Sequence, residues 1–480
     1  MHTFEELKKI IMNKKNLALL LFAAFSISSA FSQTPKYIFY MIGDGMGTNH
    51  VNLAEIFTAE SNGKIGYQPL QFTQFPYATT ASTNSLSHGI TDSAAGGTAL
   101  AVGKKTKNGV IGMDSTTTQA LKSVAYAAKE KGLKVGITTS VSVDHATPAS
   151  FYANQADRNM YYEIAKDIIK SKFDFFAGAG FLKPSKTYDN KPAPSIYPQL
   201  EEAGYKILRG KDAYNNYKSK TDKIILLNND TTDVSSLNFA IDRKENDFKL
   251  ADITKAAIES LSENNKKGFF LMVEGGKIDW SSHSNDGATT LREVFDFNES
   301  VKLAYEFYKQ HPKETLIVVT ADHETGGLGL GTGSSTLKTK LLGNQNISVG
   351  TLSTRIGDLR KSKPNASWED VKKLLTDNLG LFKDVKITKD DEQNIFAAYE
   401  KSFVNHLNET EKSLYASDDK IATLAVAALN KAATIAWSSK NHSAAYVPVY
   451  AIGAGAEIFV QKMDNTDIPK KIAKAAKLNF

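Results

Sequence analysis

The sequence predicts an α/β protein with a doubly wound, mostly parallel central sheet and helices on both of its faces. The first observation is a set of continuous apolar runs of strand length, which are typical of strands buried on both faces of a parallel sheet. These runs are residues 37–42, 135–139, 269–273 and 316–320. The second observation is that stretches with helical patterning lie between the runs, at residues 120–131, 160–171 and 289–310.

Composition is that of a soluble globular protein. The 480 residues, of which 41% are hydrophobic and 23% charged, are enough for a large core in one big domain or in two. The formal net charge of +6 is spread along the chain without a long basic block, so nucleic acid is not indicated as a partner. There is no cysteine, so packing and bound metal must provide the stability that disulfides give to other proteins.

The first 32 residues have the order of a secretory signal peptide. Lysines precede an apolar run at residues 17–25, and small residues follow through Ser32. The apolar run is too short for a permanent membrane span. We therefore expect cleavage near Ala30 or Ser32, a mature domain at residues 33–480, and a periplasmic or secreted location.

The sequence changes character between residues 331 and 431, where it becomes polar and carries charged helical patterns. We predict that residues 331–431 form an inserted subdomain on the rim of the fold. A further apolar run at residues 446–453 predicts a final strand, and Pro448 within it favours an edge position. Residues 467–478 have the pattern of a closing amphipathic helix.

Polar side chains follow the predicted strands. Asp44 lies between glycines after the first run, Glu274 ends the third, and Asp322 and His323 follow the fourth. Open α/β sheets bind ligands at the carboxyl ends of their strands, so these side chains are expected to lie together. Any one of them alone is also explained by a tight turn with a solvated carboxylate.

The spacing of histidines and acids predicts a metal cluster. Asp279 and His283 are four residues apart, so on a helical turn both face the same way and can bind one ion. Two more of the nine histidines, His145 and His442, also lie in or near the segments that end in polar groups. Imidazole and carboxylate together suit zinc, whereas sets made only of oxygen suit magnesium.

Ser93 is the candidate nucleophile. It follows Asp92 and precedes small residues that can begin a closely packed helix. At such a helix N-terminus, free backbone N–H groups and the helix dipole favour an anion, and Asp92 can cap the turn. Taken alone, the pattern also fits an ordinary N-cap serine.

Together the motifs resemble those of the alkaline phosphatase family. The motifs are Gly43-Asp44-Gly45-Met46-Gly47, Thr91-Asp92-Ser93-Ala94-Ala95, His145-Ala146-Thr147-Pro148, Val273-Glu274-Gly275, Asp279 with His283, Ala321-Asp322-His323-Glu324, and His442. They occur in the family's order over nearly all of residues 33–480, with the weakest cover in residues 331–431.

The resemblance implies two Zn²⁺ ions and one Mg²⁺ ion. It assigns Asp279, His283 and His442 to the first zinc. It assigns Asp44, Asp322 and His323 to the second zinc, with Ser93 joining them during the reaction. It assigns Asp44, Thr147 and Glu274 to magnesium.

The resemblance also implies a phosphate-binding role for Arg158, thirteen residues after His145, whose planar fork can hold two phosphate oxygens. The expected activity is hydrolysis of small phosphate monoesters to an alcohol and inorganic phosphate, through a phosphoserine on Ser93. A homodimer is expected from the family. Two positions depart from the best-known bacterial pattern, since His145 replaces an aspartate and Trp280 replaces a lysine.

Two other functions remain open on the sequence. One is a related phosphodiesterase or sulfatase, against which Arg158 and the full set of ligands argue. The other is a phosphate- or metal-binding protein without catalysis on the same fold, for which loss of the nucleophile or a ligand would be expected.

Overall fold

The structure of the protein is a computed structural model that describes residues 34–229, 231–333 and 335–480. The predicted signal peptide at residues 1–32 lies outside the described residues. The strands are β1 (Tyr37–Ile42), β2 (Tyr77–Ser82), β3 (Lys134–Thr139), β4 (Phe175–Gly178), β5 (Tyr205–Arg209), β6 (Lys223–Leu227), β7 (Phe269–Glu274), β8 (Thr315–Thr320), β9 (Glu324–Thr325), β10 (Leu328–Leu330), β11 (Thr410–Lys412), β12 (Ser417–Asp419), β13 (Ile435–Trp437), β14 (His442–Ser443), β15 (Val447–Gly453) and β16 (Met463–Asp464).

The α-helices lie between these strands along most of the chain. They are α1 (Thr48–Ser61), α2 (Ser93–Val102), α3 (Val124–Glu130), α4 (Ala146–Ala149), α5 (Tyr161–Ser171), α6 (Ile196–Glu202), α7 (Gly210–Asn216), α8 (Leu250–Ser262), α9 (Lys277–His283), α10 (Gly287–Gln310), α11 (Val349–Ser362), α12 (Trp368–Leu379), α13 (Lys389–Tyr399), α14 (Lys420–Ala432) and α15 (Asp467–Ala476). Among the described residues, no helix combines the length and the apolar character needed to cross a membrane.

A ten-stranded sheet forms the centre of the fold, in the order β16-β2-β15-β8-β1-β7-β3-β4-β6-β5. The four apolar runs singled out in the sequence are confirmed as β1, β3, β7 and β8, which are adjacent and parallel to one another. All six residues of β1 are buried, as expected for a strand covered on both faces. The predicted mostly parallel sheet is therefore confirmed.

Aromatic side chains at the start of the central strands join the sheet to the helix α10. The Phe39 ring lies 5.2 Å from Phe269 and 5.5 Å from Phe307, both in edge-to-face contact. Such pairs contribute about 0.5–1.5 kcal/mol each beyond the area they bury. The packing fixes the end of the sheet opposite to the one that carries the polar residues.

Two groups of helices cover the sheet. Helices α1, α8 and α9 each contact α10, whereas α2 and α3 each contact α15. The predicted helix at residues 120–131 is shorter in the structure, because Ser123 caps α3 by accepting the backbone N–H of Tyr126. The predicted helices at residues 160–171 and 289–310 are confirmed as α5 and α10.

The prediction that Pro448 marks an edge strand is wrong. Strand β15 lies inside the sheet, between β2 and β8. It pairs with β8 only from Tyr450 to Gly453, so Pro448 lies beyond that ladder and opposes only Thr80 of β2. Proline is tolerated here because the strand has a single neighbour at this position.

Residues 331–431 contain helices α11 to α13, most of α14, and the hairpin formed by β11 and β12. Helix α14 contacts α11, α12 and α13, so these helices pack mainly on one another. The hairpin turn at residues 413–416 points back toward α9 and the carboxyl ends of the central strands, where Ser413 Oγ lies 3.5 Å from Ser284 Oγ.

Candidate metal centre and active site

The polar residues that follow the central strands lie together, as the sequence predicted. Strands β8, β1, β7 and β3 run in parallel, so their carboxyl ends meet on one side of the sheet. Asp44 follows β1, Glu274 ends β7, and Asp322 follows β8. Thr147, in α4, follows β3, and all four side chains are completely buried.

Asp279, His283 and His442 form the first group of potential ligands. Asp279 Oδ1 lies 3.3 Å from His283 Nε2 and 3.5 Å from His442 Nε2, and the two Nε2 atoms are 3.1 Å apart. A tetrahedral ion about 2.0 Å from each ligand atom requires ligand atoms about 3.3 Å apart, so the triangle fits zinc. Helix α9 supplies Asp279 and His283, and pairing of β14 with β9 places His442 opposite Thr325.

Asp44, Asp322, His323 and Ser93 form the second group. His323 Nε2 lies 3.4 Å from Asp44 Oδ1, 3.3 Å from Asp322 Oδ2 and 3.1 Å from Ser93 Oγ. These distances again match the edges of a tetrahedron around a zinc-sized ion. The ring of His323 stacks on that of His442 with centroids 3.6 Å apart, so the two groups adjoin.

Asp44, Glu274 and His145 form a third group whose ligand atoms lie within 4.8 Å of one another. Thr147 Oγ1 belongs to the same place, since it donates to Asp44 Oδ2 at 3.3 Å. Oxygen atoms dominate this group, which suits magnesium better than zinc. His145, which the sequence analysis did not assign as a ligand, is the one imidazole in this group.

Backbone carbonyl groups orient the imidazole rings. The Nδ1–H group of His283 donates to the carbonyl oxygen of Lys440 at 2.5 Å, and that of His442 donates to Thr91 at 2.9 Å. With the proton held on Nδ1, the lone pair of each Nε2 atom points into the first group. The two rings thus present their Nε2 atoms as potential ligands.

Burial makes the cluster electrostatically unfavourable without cations. It raises the pKa of Asp322 to about 8 and that of Glu274 to about 7, and nearby carboxylates add to both shifts. Asp44 Oδ1, Glu274 Oε1 and Asp279 Oδ2 are buried without a hydrogen-bond partner in the described part of the chain. Burial also lowers the pKa of His323 and His442, which keeps both rings neutral. Neutral imidazoles and unpartnered carboxylates fit metal ions.

Ser93 is the first residue of α2, and Asp92 is its N-cap. Asp92 Oδ1 accepts the backbone N–H of Ala95 at 2.9 Å, which confirms the predicted cap. The hydroxyl of Ser93 is buried beside the second group, and the N-terminal N–H groups of α2 favour an anion at the same place.

Two glycines allow the loops of the site to come close together. Gly45 has a φ of +73°, and a Cβ atom there would lie 2.8 Å from Cα of Asp279. A Cβ atom on Gly96 would lie 2.9 Å from the carbonyl oxygen of Asp322. Glycine is thus needed where β1 meets α9 and where α2 meets the loop after β8.

Arg158 reaches the site from the loop before α5. Its Nη1 atom donates to Asp92 Oδ2 at 3.0 Å, and its Nη2 atom lies 3.5 Å from His145 Nε2. The guanidinium group therefore lies between Asp92, at the start of the Ser93 helix, and His145 of the third group.

The sequence matches the family model for alkaline phosphatases over residues 35–174 and 195–478. The chain belongs to the alkaline phosphatase family. It is accordingly a hydrolase of phosphate monoesters, and the family depends on metal ions. The match runs through residues 331–431 without interruption.

Individual alkaline phosphatases resemble the chain over most of its length. Alkaline phosphatase 4 of Bacillus subtilis is 33% identical over 453 residues, covering 92% of this chain and 89% of the relative. The structure of the cold-active alkaline phosphatase from a psychrophilic Shewanella species aligns with a TM-score of 0.76 at 27% identity, covering 92% and 99% of the two chains. That of Thermus thermophilus gives 0.75 at 25% identity, covering 93% and 92%.

Beside the predicted residues, this alkaline phosphatase places two more side chains at the site. Thr325 donates a hydrogen bond to Asp279 Oδ1, and its hydroxyl lies 3.3 Å from His323 Nδ1. Thr325 lies only two residues after His323, and this closeness in sequence could have indicated that it belongs to the site. The second is Tyr415 in the β11–β12 turn, for which the sequence carries no local signal.

Proposed function

We propose that this alkaline phosphatase hydrolyses phosphate monoesters through a phosphoserine on Ser93, with two Zn²⁺ ions and one Mg²⁺ ion. The observation that supports this most strongly is the convergence on His323 Nε2 of Asp44 Oδ1, Asp322 Oδ2 and Ser93 Oγ, at 3.4, 3.3 and 3.1 Å. A serine hydroxyl group at one corner of a zinc-sized tetrahedron is in the right position for activation.

The proposed ligands follow the three groups. Asp279, His283 and His442 hold the first zinc, and Asp44, Asp322 and His323 hold the second. Asp44, Thr147 and Glu274 would hold magnesium, and Asp44 belongs to both this group and the second. One structural relative is a histidine-to-aspartate variant of the alkaline phosphatase from the Antarctic bacterium TAB5 with Mg bound in its M3 site, which supports a magnesium position in this family.

When bound, the zinc ions supply positive charge that lowers the pKa of the serine hydroxyl and of a water molecule and offsets charge on the departing oxygen. Ser93 Oγ gives its proton to solvent and attacks phosphorus, the bond from phosphorus to the alcohol oxygen breaks, and the leaving oxygen takes a proton from water. The alcohol leaves, and water attacks the phosphoserine, which restores Ser93 and releases inorganic phosphate. Arg158 and the first N–H groups of α2 hold the phosphoryl oxygens throughout.

The substrates are small-molecule phosphate monoesters of varied alcohols. The groups described above would contact the phosphate end of a substrate, because Asp92 caps the helix of Ser93 and also holds Arg158. Recognition of phosphate rather than alcohol implies broad specificity.

The test is hydrolysis of a chromogenic phosphate monoester at alkaline pH, before and after chelation, with zinc and magnesium added back. We expect activity to vanish on chelation and to return with zinc, and magnesium to stimulate it further.

Ser93→Ala should remove nearly all turnover while zinc and inorganic phosphate still bind. Retained turnover in Ser93→Ala would remove Ser93 from the mechanism, and faster hydrolysis of a diester or sulfate ester would contradict the substrate class.

We propose further that residues 1–32 direct export to the periplasm or the medium and are then removed. N-terminal sequencing of protein from the extracellular fraction tests this, with a new N-terminus expected near residue 33.

We also propose a homodimer and an inserted subdomain at residues 331–431. Sedimentation analysis tests the first, and protease cleavage confined to the boundaries of residues 331–431 tests the second.

A further inference from the structure

A cavity of about 210 Å³ lies beside the active site, between α9 and residues 331–431. Helix α9 and the loop at residues 233–239 form one side of it, and the start of α11 and the β11–β12 hairpin form the other. Trp280 and Tyr415, whose rings stack with centroids 4.4 Å apart, also line it. The Tyr415 ring lies 5.5 Å from that of His283, so the cavity adjoins the first group.

Contacts to the rest of the chain fix both sides of this cavity. On one side, the backbone N–H of Ser142, in the segment after β3, donates to the carbonyl oxygen of Ser235 at 2.8 Å. On the other side, Ser284, which follows α9, donates to Asp418 Oδ2 at 3.3 Å. The fold itself therefore shapes the cavity, as it does in most small-molecule sites.

The ammonium group of Lys277 lines the cavity without a counter-ion. The residue is only 4% exposed, and its Nζ atom donates to Ser236 Oγ at 2.7 Å and lies 3.5 Å from the centroid of the Phe239 ring. Among the residues that the structure describes, Lys277 forms no ion pair. A lysine has three N–H donors, and a buried charge without an opposite partner is unfavourable. One N–H group is therefore available for an oxygen atom of a ligand.

A buried carboxylate lines the same cavity from the hairpin. Asp418 is 4% exposed, its Oδ2 atom accepts Ser284, and within the described ranges of the chain it forms no ion pair. Asp286 lines the cavity too, but its two oxygen atoms already accept four hydrogen bonds. Asp418 is therefore the acceptor on the side opposite to Lys277.

The two charges determine which ligand fits. Asp418 would repel an anion and Lys277 would repel a cation, whereas a hydroxyl group both donates and accepts and can bond with either residue. The rings of Phe239, Trp280 and Tyr415 supply apolar surface for the carbon atoms of such a ligand. Cavities for drug-sized ligands measure about 300–1,000 Å³, so this smaller one suits a ligand of monosaccharide size.

We propose that this cavity binds a neutral, hydroxyl-rich small molecule of the size of a monosaccharide, with Lys277 as the donor and Asp418 as the acceptor. The molecule is either a free sugar or polyol, or the alcohol part of a phosphate monoester that extends past Tyr415. In both cases it contacts α9, which also supplies Asp279 and His283, and residues 331–431 form one side of its site.

The test is saturation-transfer NMR on the metal-loaded enzyme with four neutral probes, glycerol, D-ribose, D-glucose and myo-inositol. We expect at least one probe to bind saturably. Lys277→Met and Asp418→Asn should each raise its Kd about tenfold or more, the effect of losing a hydrogen bond to a charged group. Asp418→Asn should keep the Tm and the bound zinc of the wild type, so weaker binding there does not come from a disturbed α9.

The matched controls are Lys255→Met on α8 and Asp377→Asn on α12, which remove the same charges from exposed side chains. Both should leave the Kd as in the wild type. Inhibition kinetics with the bound probe then distinguishes the two sources of the ligand. Competitive inhibition of monoester hydrolysis indicates the alcohol part of a substrate, and an unchanged KM indicates a separate ligand.

Absence of saturable binding by all four probes, or equal Kd values in the wild type, Lys277→Met and Asp418→Asn, would overturn the inference. Acetate binding that is tighter than that of every probe and is lost in Lys277→Met would overturn the class of ligand. A wild-type enzyme that binds a probe but lacks monoesterase activity would contradict the proposed function alone.

Discussion

The carboxylate group of Asp92 binds both the helix that begins at Ser93 and the guanidinium group of Arg158. Its Oδ1 atom accepts the N–H of Ala95 at 2.9 Å, and its Oδ2 atom accepts Arg158 Nη1 and the N–H of Gly109, each at 3.0 Å. One side chain therefore sets the distance between the candidate nucleophile and the candidate phosphate-binding group.

Replacing Asp92 by asparagine should weaken substrate binding and turnover. Asparagine can still cap α2 through its oxygen, but its NH2 group would face Arg158 and Gly109, which are donors themselves. The loss of a charge-assisted hydrogen bond of about 1.5–3 kcal/mol predicts a fall in kcat/KM of about ten- to hundredfold. Steady-state kinetics measures it, with the cap variant Ser367→Ala on α12 as a control that should keep kcat/KM. An unchanged kcat/KM in Asp92→Asn would contradict the role of Asp92 in holding Arg158 beside the helix of Ser93.

Gly96→Ala should lower both stability and metal binding. Its Cβ atom would lie 2.9 Å from the carbonyl oxygen of Asp322, and backbone at that place cannot move without shifting a proposed ligand. We expect a loss of about 1–3 kcal/mol in the free energy of unfolding and weaker zinc binding. Gly357→Ala on α11 meets nothing within 4 Å and should be neutral or stabilise by up to about 1 kcal/mol. Chemical denaturation of the two variants checks the contrast, which equal effects would refute.

The gain in Tm on adding zinc should grow with pH. In the metal-free protein the pKa of Asp322 is raised to about 8 and that of Glu274 to about 7, whereas both are about 4 when the chain is unfolded. Between about pH 4 and pH 8 the folded state then binds more protons than the unfolded state, so the metal-free protein loses stability as pH rises. Metal binds the ionised carboxylates and removes this penalty.

Calorimetry with a chelator and with zinc, at pH 6 and pH 8.5, measures this difference. We expect the Tm gain at pH 8.5 to exceed that at pH 6 by about 5 °C or more. Asp322→Asn serves as the comparison, because it removes one of the shifted groups and should flatten the pH dependence of the metal-free protein. A gain that is independent of pH would be inconsistent with buried, protonated carboxyl groups at the site.

His145→Asp should increase the affinity of the third group for magnesium. The substitution places a carboxylate among ligand atoms that otherwise come from Asp44, Glu274 and Thr147, and hard cations prefer oxygen. We expect half-maximal activation at about one-tenth of the wild-type Mg²⁺ concentration, about 1.4 kcal/mol in binding. His145→Asn adds an oxygen atom without charge, so comparing it with His145→Asp shows whether magnesium affinity depends on the oxygen ligand or on the negative charge. The same Mg²⁺ dependence in all three proteins would exclude His145 from this group.

The sequence was most informative where chemistry follows a buried strand. Asp44, Glu274 and Asp322 could be placed together without a structure, because β1, β7 and β8 are parallel neighbours and their ends must meet. The pair Asp279 and His283 was equally accessible, since both positions lie on one short helix. The first case depends on parallel strands whose ends meet, and the second depends on the helical period of a single element.

Other features depend on packing between distant segments. Tyr415 contacts Trp280 and His145 through a hairpin more than a hundred residues away, and nothing near it in sequence indicates these neighbours. The prediction that Pro448 lies on an edge strand considered β15 alone. Proline is accepted at this position because the hydrogen-bonded pairing of β15 with β8 does not extend as far as Pro448. His145 lies beside Asp44 and Glu274 because of the path of the loop after β3, which the sequence does not indicate.

The ligands of the first and second groups come from residues as far apart as Asp44 and His442. The first group therefore closes only after β14 has paired with β9, late in the chain, whereas the second group contains no residue beyond His323. During synthesis from the N-terminus, Asp279 and His283 are therefore made well before His442, their third partner. The consequence is an order of assembly: a chain interrupted before residue 442 has the four central parallel strands and the nucleophile but an incomplete first group, so this group forms only near the end of synthesis.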